Sequence, residues 1–319
     1  MKKKVGLCFS AQLEGVSPLG HIDAKRPVYL RLLQLCQKKG WETYVLTRRT
    51  YLGKGVFNGV WKYADGKFVI QKGKIKMDFV YDRSGGIKFP PENDFLRVVN
   101  IRDFKVFSWD KWVAYRQMKA YMPKTFWVGE TVNIPKILPK ISTDFVVIKP
   151  YNGLKGIGIY IGPKEEYEAF SFPENYPKYI AQEFVDTSGG IPGLVSGMHD
   201  LRVVIINSKI VWSHIRTPLE GEYEANVARG GELRELSLNK IPASVGETVN
   251  KIAADFYKKF DNPIYSLDFG IGPGGKPYIF EINDQIGFPR WEMANRDNFL
   301  KELVENFESK LSSTINLPK

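Results

Sequence analysis

The sequence predicts an α/β N-terminal domain followed by a larger α+β portion, and three observations carry this. Strand-like VGLCF, helix-like PVYLRLLQLCQKKG and strand-like WETYVLT follow one another near the start, the β-α-β order of a small open domain with a parallel sheet. From residue 144 to residue 217, five apolar runs succeed each other with glycine-rich or Asn-Ser turns and few helices between them, as in an antiparallel sheet. A last pair of runs, PIYSLDFGIG and KPYIFEIN, flanks a glycine-rich turn and reads as a further hairpin.

In the first domain the helical stretch carries apolar residues at spacings of three and four and closes on Gly40. IKMDFVYDR continues the sheet, and Pro90-Pro91 punctuates it. From Trp109 the pattern changes: WDKWVAYRQMKAYMPKT predicts a helix that follows Ser108 and stops at Pro123. DFVVIKP, GIGIYIG, KYIAQEFVD, LRVVIIN and KIVWSHIRT are the five strand-like runs. VGETVNKIAADFYKKF reads as an amphipathic helix, and a C-terminal helix is expected near 294–311.

Composition narrows the function classes. With 319 residues, 43% hydrophobic and 25% charged, the chain has material for more than one core, and no apolar run approaches the length of a bilayer span. MKKKVGLCFSA opens like a signal peptide, but its apolar run of about seven residues meets Gln12 and Glu14, so a first buried strand is the reading. Cys8 and Cys36 form no C-x-x-C pattern, and His21, His199 and His214 have no metal-ligand spacing. Both cysteines are expected as buried thiols of a cytoplasmic protein. The net charge of +11 is uneven: residues 1–140 hold 27 Lys/Arg against 11 Asp/Glu, or +16, which leaves −5 for the remainder. A solvated lysine surface, an acidic small molecule or peptide, and nucleic acid would each explain the basic half; no nucleic-acid motif accompanies the charge.

SLDFGIGPGGKPYIFEIND, residues 266–284, contains three apparent phosphate motifs. The G-x-x-x-x-G-K match fails because Pro277 follows Lys276, where a hydroxyl residue and a helix are required. Gly270, Gly272 and Gly275 form G-x-G-x-x-G, again without a following helix. Asp268-Phe269-Gly270, even with VVIKP at 146–150, has no catalytic-loop counterpart of a protein kinase. What survives is a set of oxygen-bearing side chains: Asp268 on one strand, and Glu281 and Asn283 two apart on the return strand, hence on one face. They suit magnesium; the other reading is a solvated strand face.

DKWVAYRQMKAYMPKT, VVIKPYNGLKGIGIYIG, IAQEFVD, HDLRVVIINSKIVWSHIRT, EANVARGG and LDFGIGPGGKPYIFEINDQIG stand in one order over residues 109–290. In that order they resemble the ATP-grasp superfamily, within it the branch of ribosomal-protein glutamate ligases and glutathione synthetases. IKMDFVYDR is faintly similar to spore-coat-associated ATP-grasp proteins, and residues 1–108 are similar to a pre-ATP-grasp domain only in broad α/β order. The resemblance implies an α/β substrate domain at 1–108, a small ATP-grasp lobe at 109–185 and a large lobe with the metal site at 186–319, the two lobes clasping ATP.

The resemblance also implies roles. Lys111 and Lys149 contact the nucleotide phosphates; Lys149 ends the apolar run FVVI and needs a partner for its charge. Gly153, Gly156 and Gly158 belong to a loop that closes over the triphosphate, with Lys155 at its tip. Gln182, Glu183, Phe184 and Val185 line the adenine, and Asp186 takes the ribose hydroxyls. Arg202 and Arg216, with Asp200 beside them, neutralise the transferred phosphoryl group; Asn226 and Arg229 complete the catalytic set. Asp268, Glu281 and Asn283 are the magnesium ligands, two ions being expected and manganese an alternative; Gly287 matches a glycine that follows them.

The implied activity is ATP-dependent carboxylate–amine ligation, giving ADP and phosphate through an acyl phosphate. The expected partners are an anionic small-molecule or peptide carboxylate and an amine acceptor, with no nucleic acid and no membrane. Two other readings stay open: a small-molecule kinase on the same fold, and a non-catalytic nucleotide-binding spore-coat or scaffold protein.

Overall fold

The computed structural model describes residues 2–10, 18–85, 96–153, 156–225 and 230–312. Two units emerge: residues 1–102, 256–264 and 285–319 form the first, and 103–255 with 265–284 the second.

The first unit begins with β1 (Lys4–Phe9), α1 (Arg26–Lys38), β2 (Glu42–Thr47), β3 (Tyr51–Gly53), β4 (Val56–Ala64), β5 (Lys67–Lys76) and β6 (Phe79–Asp82). β1 is parallel to both β2 and β6, as the β-α-β order requires. The sheet is nevertheless mixed rather than parallel, because β4 runs antiparallel to β2 and carries β3 and β5 as antiparallel neighbours. Ala64 pairs with Lys67 around Asp65-Gly66, both at positive φ (49° and 75°), the two-residue turn whose twist matches the strands. Within IKMDFVYDR, Ile75-Lys76 ends β5 and only FVYD forms β6.

α1 buries Val28, Tyr29, Leu32, Leu33 and Cys36, the stripe spaced at three and four that its sequence shows. Each such aliphatic side chain contributes about 1.5–3 kcal/mol on leaving water. Cys8 and Cys36 are buried and form no disulfide among the described residues, and burial pushes Cys36 up to about 12, so it carries no thiolate at neutral pH.

The second unit holds α2 (Arg102–Trp109, whose first residue belongs to the first unit), α3 (Lys111–Met118), β7 (Thr125–Gly129), α4 (Ile134–Ile137), β8 (Phe145–Pro150), β9 (Tyr160–Pro163), β10 (Tyr179–Glu183), β11 (Asp200–Ile206), β12 (Lys209–Thr217), β13 (Glu232–Glu235), α5 (Ala243–Lys259), β14 (Tyr265–Ile271) and β15 (Pro277–Asn283). α5 ends in the first unit. Two antiparallel sheets result, ordered β7-β10-β8-β9 and β13-β12-β11-β14-β15. The helix expected to follow Ser108 is two helices. Ser108 lies inside α2, its hydroxyl bonded to Lys105 O at 3.0 Å, and Asp110 caps α3 by accepting from Val113 N at 2.9 Å. Val146 and Ile148 of β8 enter a core with Val128, Ile134, Tyr179 and Ala181, which leaves Phe145, Val147 and Lys149 on the other face.

The chain returns to the first unit with α6 (Arg296–Ser312), whose Phe307 packs 4.8 Å from Phe79 and 5.3 Å from Tyr81. Among the described residues no helix is long and apolar enough to cross a membrane.

Candidate functional site

Two buried lysines face the carboxylates of the β14–β15 hairpin. Lys149, near the end of β8, is 7% exposed and donates to Gln182 Oε1 at 3.0 Å and to Phe280 O at 3.3 Å, both uncharged acceptors. Burial, with Lys111 beside it, brings its ammonium down to about 8, against the opposing pull of Glu281 and Asp268. Lys111 opens α3 and donates to Gly153 O at 2.7 Å while pairing with Glu281 Oε1 at 3.1 Å. α3, β8 and β15 thus bring two cations and a carboxylate together.

Asp268 and Glu281 are direct cross-strand partners on β14 and β15, and a bulge follows at Asp268/Phe269. Asn283 Nδ2 reaches Asp268 Oδ2 and Glu281 Oε2, each at 3.4 Å, so the three predicted ligands converge. Among the described residues no group of three or more His, Cys, Asp or Glu could hold a metal ion; the set here is two carboxylates and one amide. Oxygen donors of this kind fit magnesium, which otherwise takes water and phosphate oxygens.

Behind them lies an ion-pair ladder. Arg202 grips Asp268 through Nε and Nη2, both at 2.6 Å. Arg216 reaches Asp268 Oδ2 from Nη2 at 2.9 Å and also holds Asp200, through Nε at 2.7 Å and through Nη2. Burial opposes ionisation of Asp268, but the two guanidiniums overcome it and hold its carboxyl well below the ordinary range. For Asp200 burial outweighs Arg216, and its carboxyl rises to about 6.

The glycine-rich turn packs closely on its surroundings. A Cβ on Gly153 would stand 2.9 Å from Pro150 Cβ; Gly156 and Gly158 have φ of 73° and 76°, and a Cβ on Gly156 would meet Glu224 Oε1 at 1.9 Å. At the end of β10, Gln182 is buried between Lys149 and Thr125 Oγ1 (2.8 Å), while Glu183 Oε1 accepts from Ser142 Oγ at 2.7 Å. Phe184 joins Phe145 and Tyr223 in an aromatic cluster with centroids 5.4–5.7 Å apart, and Val185 packs near Gly272. Asp186 stands apart, exposed, its Oδ1 accepting from Ser188 N at 2.8 Å. Lys155, Asn226 and Arg229 lie outside the described residues. Phe145, Tyr223 and Glu224 were not anticipated; two-residue alternation back from Lys149 would have found Phe145. Lys276, at the hairpin turn, sits 4.7 Å over the Tyr278 ring.

A family model described as the RimK-like ATP-grasp domain matches residues 110–307, well over half of the chain. The chain belongs to this RimK-like ATP-grasp family. Its two second-unit sheets are accordingly ATP-grasp sheets. Among RimK-like relatives, a probable alpha-L-glutamate ligase of Psychromonas ingrahamii is 26% identical over 196 residues, 60% of this chain and 59% of that protein. Another of that description, from Pasteurella multocida, is 23% identical over 217 residues, 66% of this chain and 64% of its own. The chain therefore spans about three fifths of the length of these curated relatives. Of solved structures, D-alanyl-alanine synthetase A from Vibrio cholerae has the same fold, with a TM-score of 0.64 at 15% identity over 98% of this chain and 99% of that one.

Proposed function

We propose that this protein is an ATP-dependent carboxylate–amine ligase that forms ADP and phosphate by way of an acyl phosphate. The observation that carries the reading is the convergence of the Lys111 and Lys149 ammoniums on Asp268, Glu281 and Asn283, backed by Arg202 and Arg216. Membership of the RimK-like ATP-grasp family supports it.

Lys149 carries most of its proton at pH 7, and its neutral hydrogen-bond partners leave an anion such as a phosphate oxygen as the partner that would complete it. Lys111 would hold a second phosphate oxygen, at the cost of its contact with Glu281. Gly156 and Gly158 would let backbone amides approach the triphosphate, Gln182 to Val185 would border the adenine beside Phe145, and Asp186, which stands apart, is assigned to the ribose from the sequence alone. Asp268, Glu281 and Asn283 would hold magnesium, which would offset negative charge on the nucleotide phosphates. Arg216, fixed by Asp200, would stabilise charge developing on the transferred group; Asn226 and Arg229 are assigned beside it from the sequence alone. The relatives described as probable alpha-L-glutamate ligases make an amino acid such as glutamate the first acceptor to try.

The test is ADP release from ATP and magnesium with pooled amino acids and short peptides, followed by deconvolution of active pools. Arg216→Ala is expected to slow release by roughly a hundredfold, as loss of one electrostatic donor does in other active sites. No pool that raises ADP release above ATP alone, or full activity in Arg216→Ala, counts against the proposal.

A further inference from the structure

The VYDR end of IKMDFVYDR takes part in none of the steps above. β6 lies parallel to β1 with Asp82 opposite Cys8, and Arg83 N donates to Cys8 O at 2.7 Å. Arg83 therefore stands just beyond the carboxyl ends of two parallel strands, the edge of an open α/β sheet where small ligands are received.

Its guanidinium is walled by rings, 5.4 Å from the centroid of Tyr81 and 5.3 Å from that of Phe288, which stacks on Tyr29 at 4.2 Å. Nη2 donates to Ile286 O at 2.7 Å, Nη1 reaches the Tyr81 hydroxyl at 3.4 Å, and the Tyr29 hydroxyl is a further partner. Every one of these is neutral at pH 7. Among the described residues no carboxylate pairs with Arg83; the adjacent Asp82 turns Oδ1 to Ser84 N and Oγ, at 2.9 and 2.6 Å. Nε is shielded from solvent and has no acceptor among the described residues.

A guanidinium does not give up its proton, and enclosing it without a counter-charge is costly. Its planar fork matches the paired oxygens of a carboxylate or phosphate. We propose that Arg83 anchors an oxyanion site in the first unit, taking a small molecule that bears a carboxylate or phosphate group, with Tyr29, Tyr81 and Phe288 as its wall. The site stands on first-unit residues and does not rest on the nucleotide reading. The +16 of residues 1–140 raises the local concentration of such anions.

The experiment is isothermal titration of the full chain with inorganic phosphate and, separately, with succinate, both without nucleotide. One saturable site is expected for at least one of the two; the tighter anion names the group, phosphate or carboxylate. Arg83→Met should weaken it at least tenfold, whereas Lys149→Ala, in the second unit, should leave it unchanged. Should Arg83→Met fail to fold, Arg83→Lys decides, since it keeps the charge and loses the fork and should still weaken binding severalfold with an unaltered circular dichroism spectrum. Absence of saturable binding, unchanged affinity in a folded Arg83 variant, or loss of binding in Lys149→Ala overturns the site.

Discussion

Arg202 and Asp268 are partners twice over: they lie directly opposite each other on β11 and β14, and the guanidinium holds both carboxylate oxygens at 2.6 Å. The pairing has Asp268 neutralise two buried arginines, and the proposed magnesium site would draw on the same carboxylate.

Removing that carboxylate should therefore be felt in the free protein. Asp268→Asn leaves Arg202 and Arg216 short of a counter-charge, and a buried pair broken in this way costs about 3–5 kcal/mol, read by urea unfolding at pH 7. The acid limb should change as well. Asp268 is held below its ordinary 3.8, so its stabilisation is present above that value and drains as pH falls below it; the variant loses this slope. Asp200, raised to about 6, has the opposite sign: stability declines as pH rises from 3.8 through 6, and Asp200→Asn should abolish that decline.

Lys149 predicts an alkaline effect. Its folded value of about 8 lies below the ordinary 10.5, so the folded chain binds fewer protons between those limits and stability should rise with pH across them. The full penalty, borne below pH 8, is about 3 kcal/mol at 1.36 kcal/mol per unit. Lys149→Met should flatten the rise; a mutant that keeps it would assign the titration to another group.

Magnesium–ATP should raise the melting temperature, because a ligand bound only by the folded state stabilises it by about 2.7 kcal/mol at a hundred times its Kd. Lys149→Ala and Glu281→Ala should each remove most of the shift, and chelation of magnesium should reduce it in the wild type. Lys276→Ala, at the far turn of the same hairpin, should keep the full shift. Loss of the shift in Lys276→Ala alone would make the G-x-x-x-x-G-K turn a phosphate site after all.

What the sequence made legible follows from where apolar residues are continuous. β10, β11, β12 and β14 each contain an unbroken buried run, and in β8 the continuous apolar FVVI, buried at alternate residues, marks the strand, so their existence and the position of Lys149 at its end were readable. β5 has no such run; only Phe68, Gln71 and Ile75 are half-buried and the rest is exposed, which hid the hairpin although Asp65-Gly66 announced its turn. Ser108 and Asp110 are equally good caps in sequence, and only the presence of α2, which takes up Ser108, decides for Asp110. Lys111's bond to the Gly153 carbonyl and the meeting of Phe145, Phe184 and Tyr223 arise from the tertiary path, where local periodicity carries no signal.

The central claim is that phosphate passes to a carboxylate, and hydroxylamine tests it most directly. An acyl phosphate is open to small nitrogen nucleophiles when the natural amine is withheld; a phosphorylated hydroxyl is not. The chain, incubated with ATP, magnesium, a carboxylate identified by the ADP-release screen and hydroxylamine, should yield a hydroxamate together with ADP and free phosphate in equal amounts. A γ-phosphate that remains on a product untouched by hydroxylamine would contradict the ligase assignment and establish a kinase in its place.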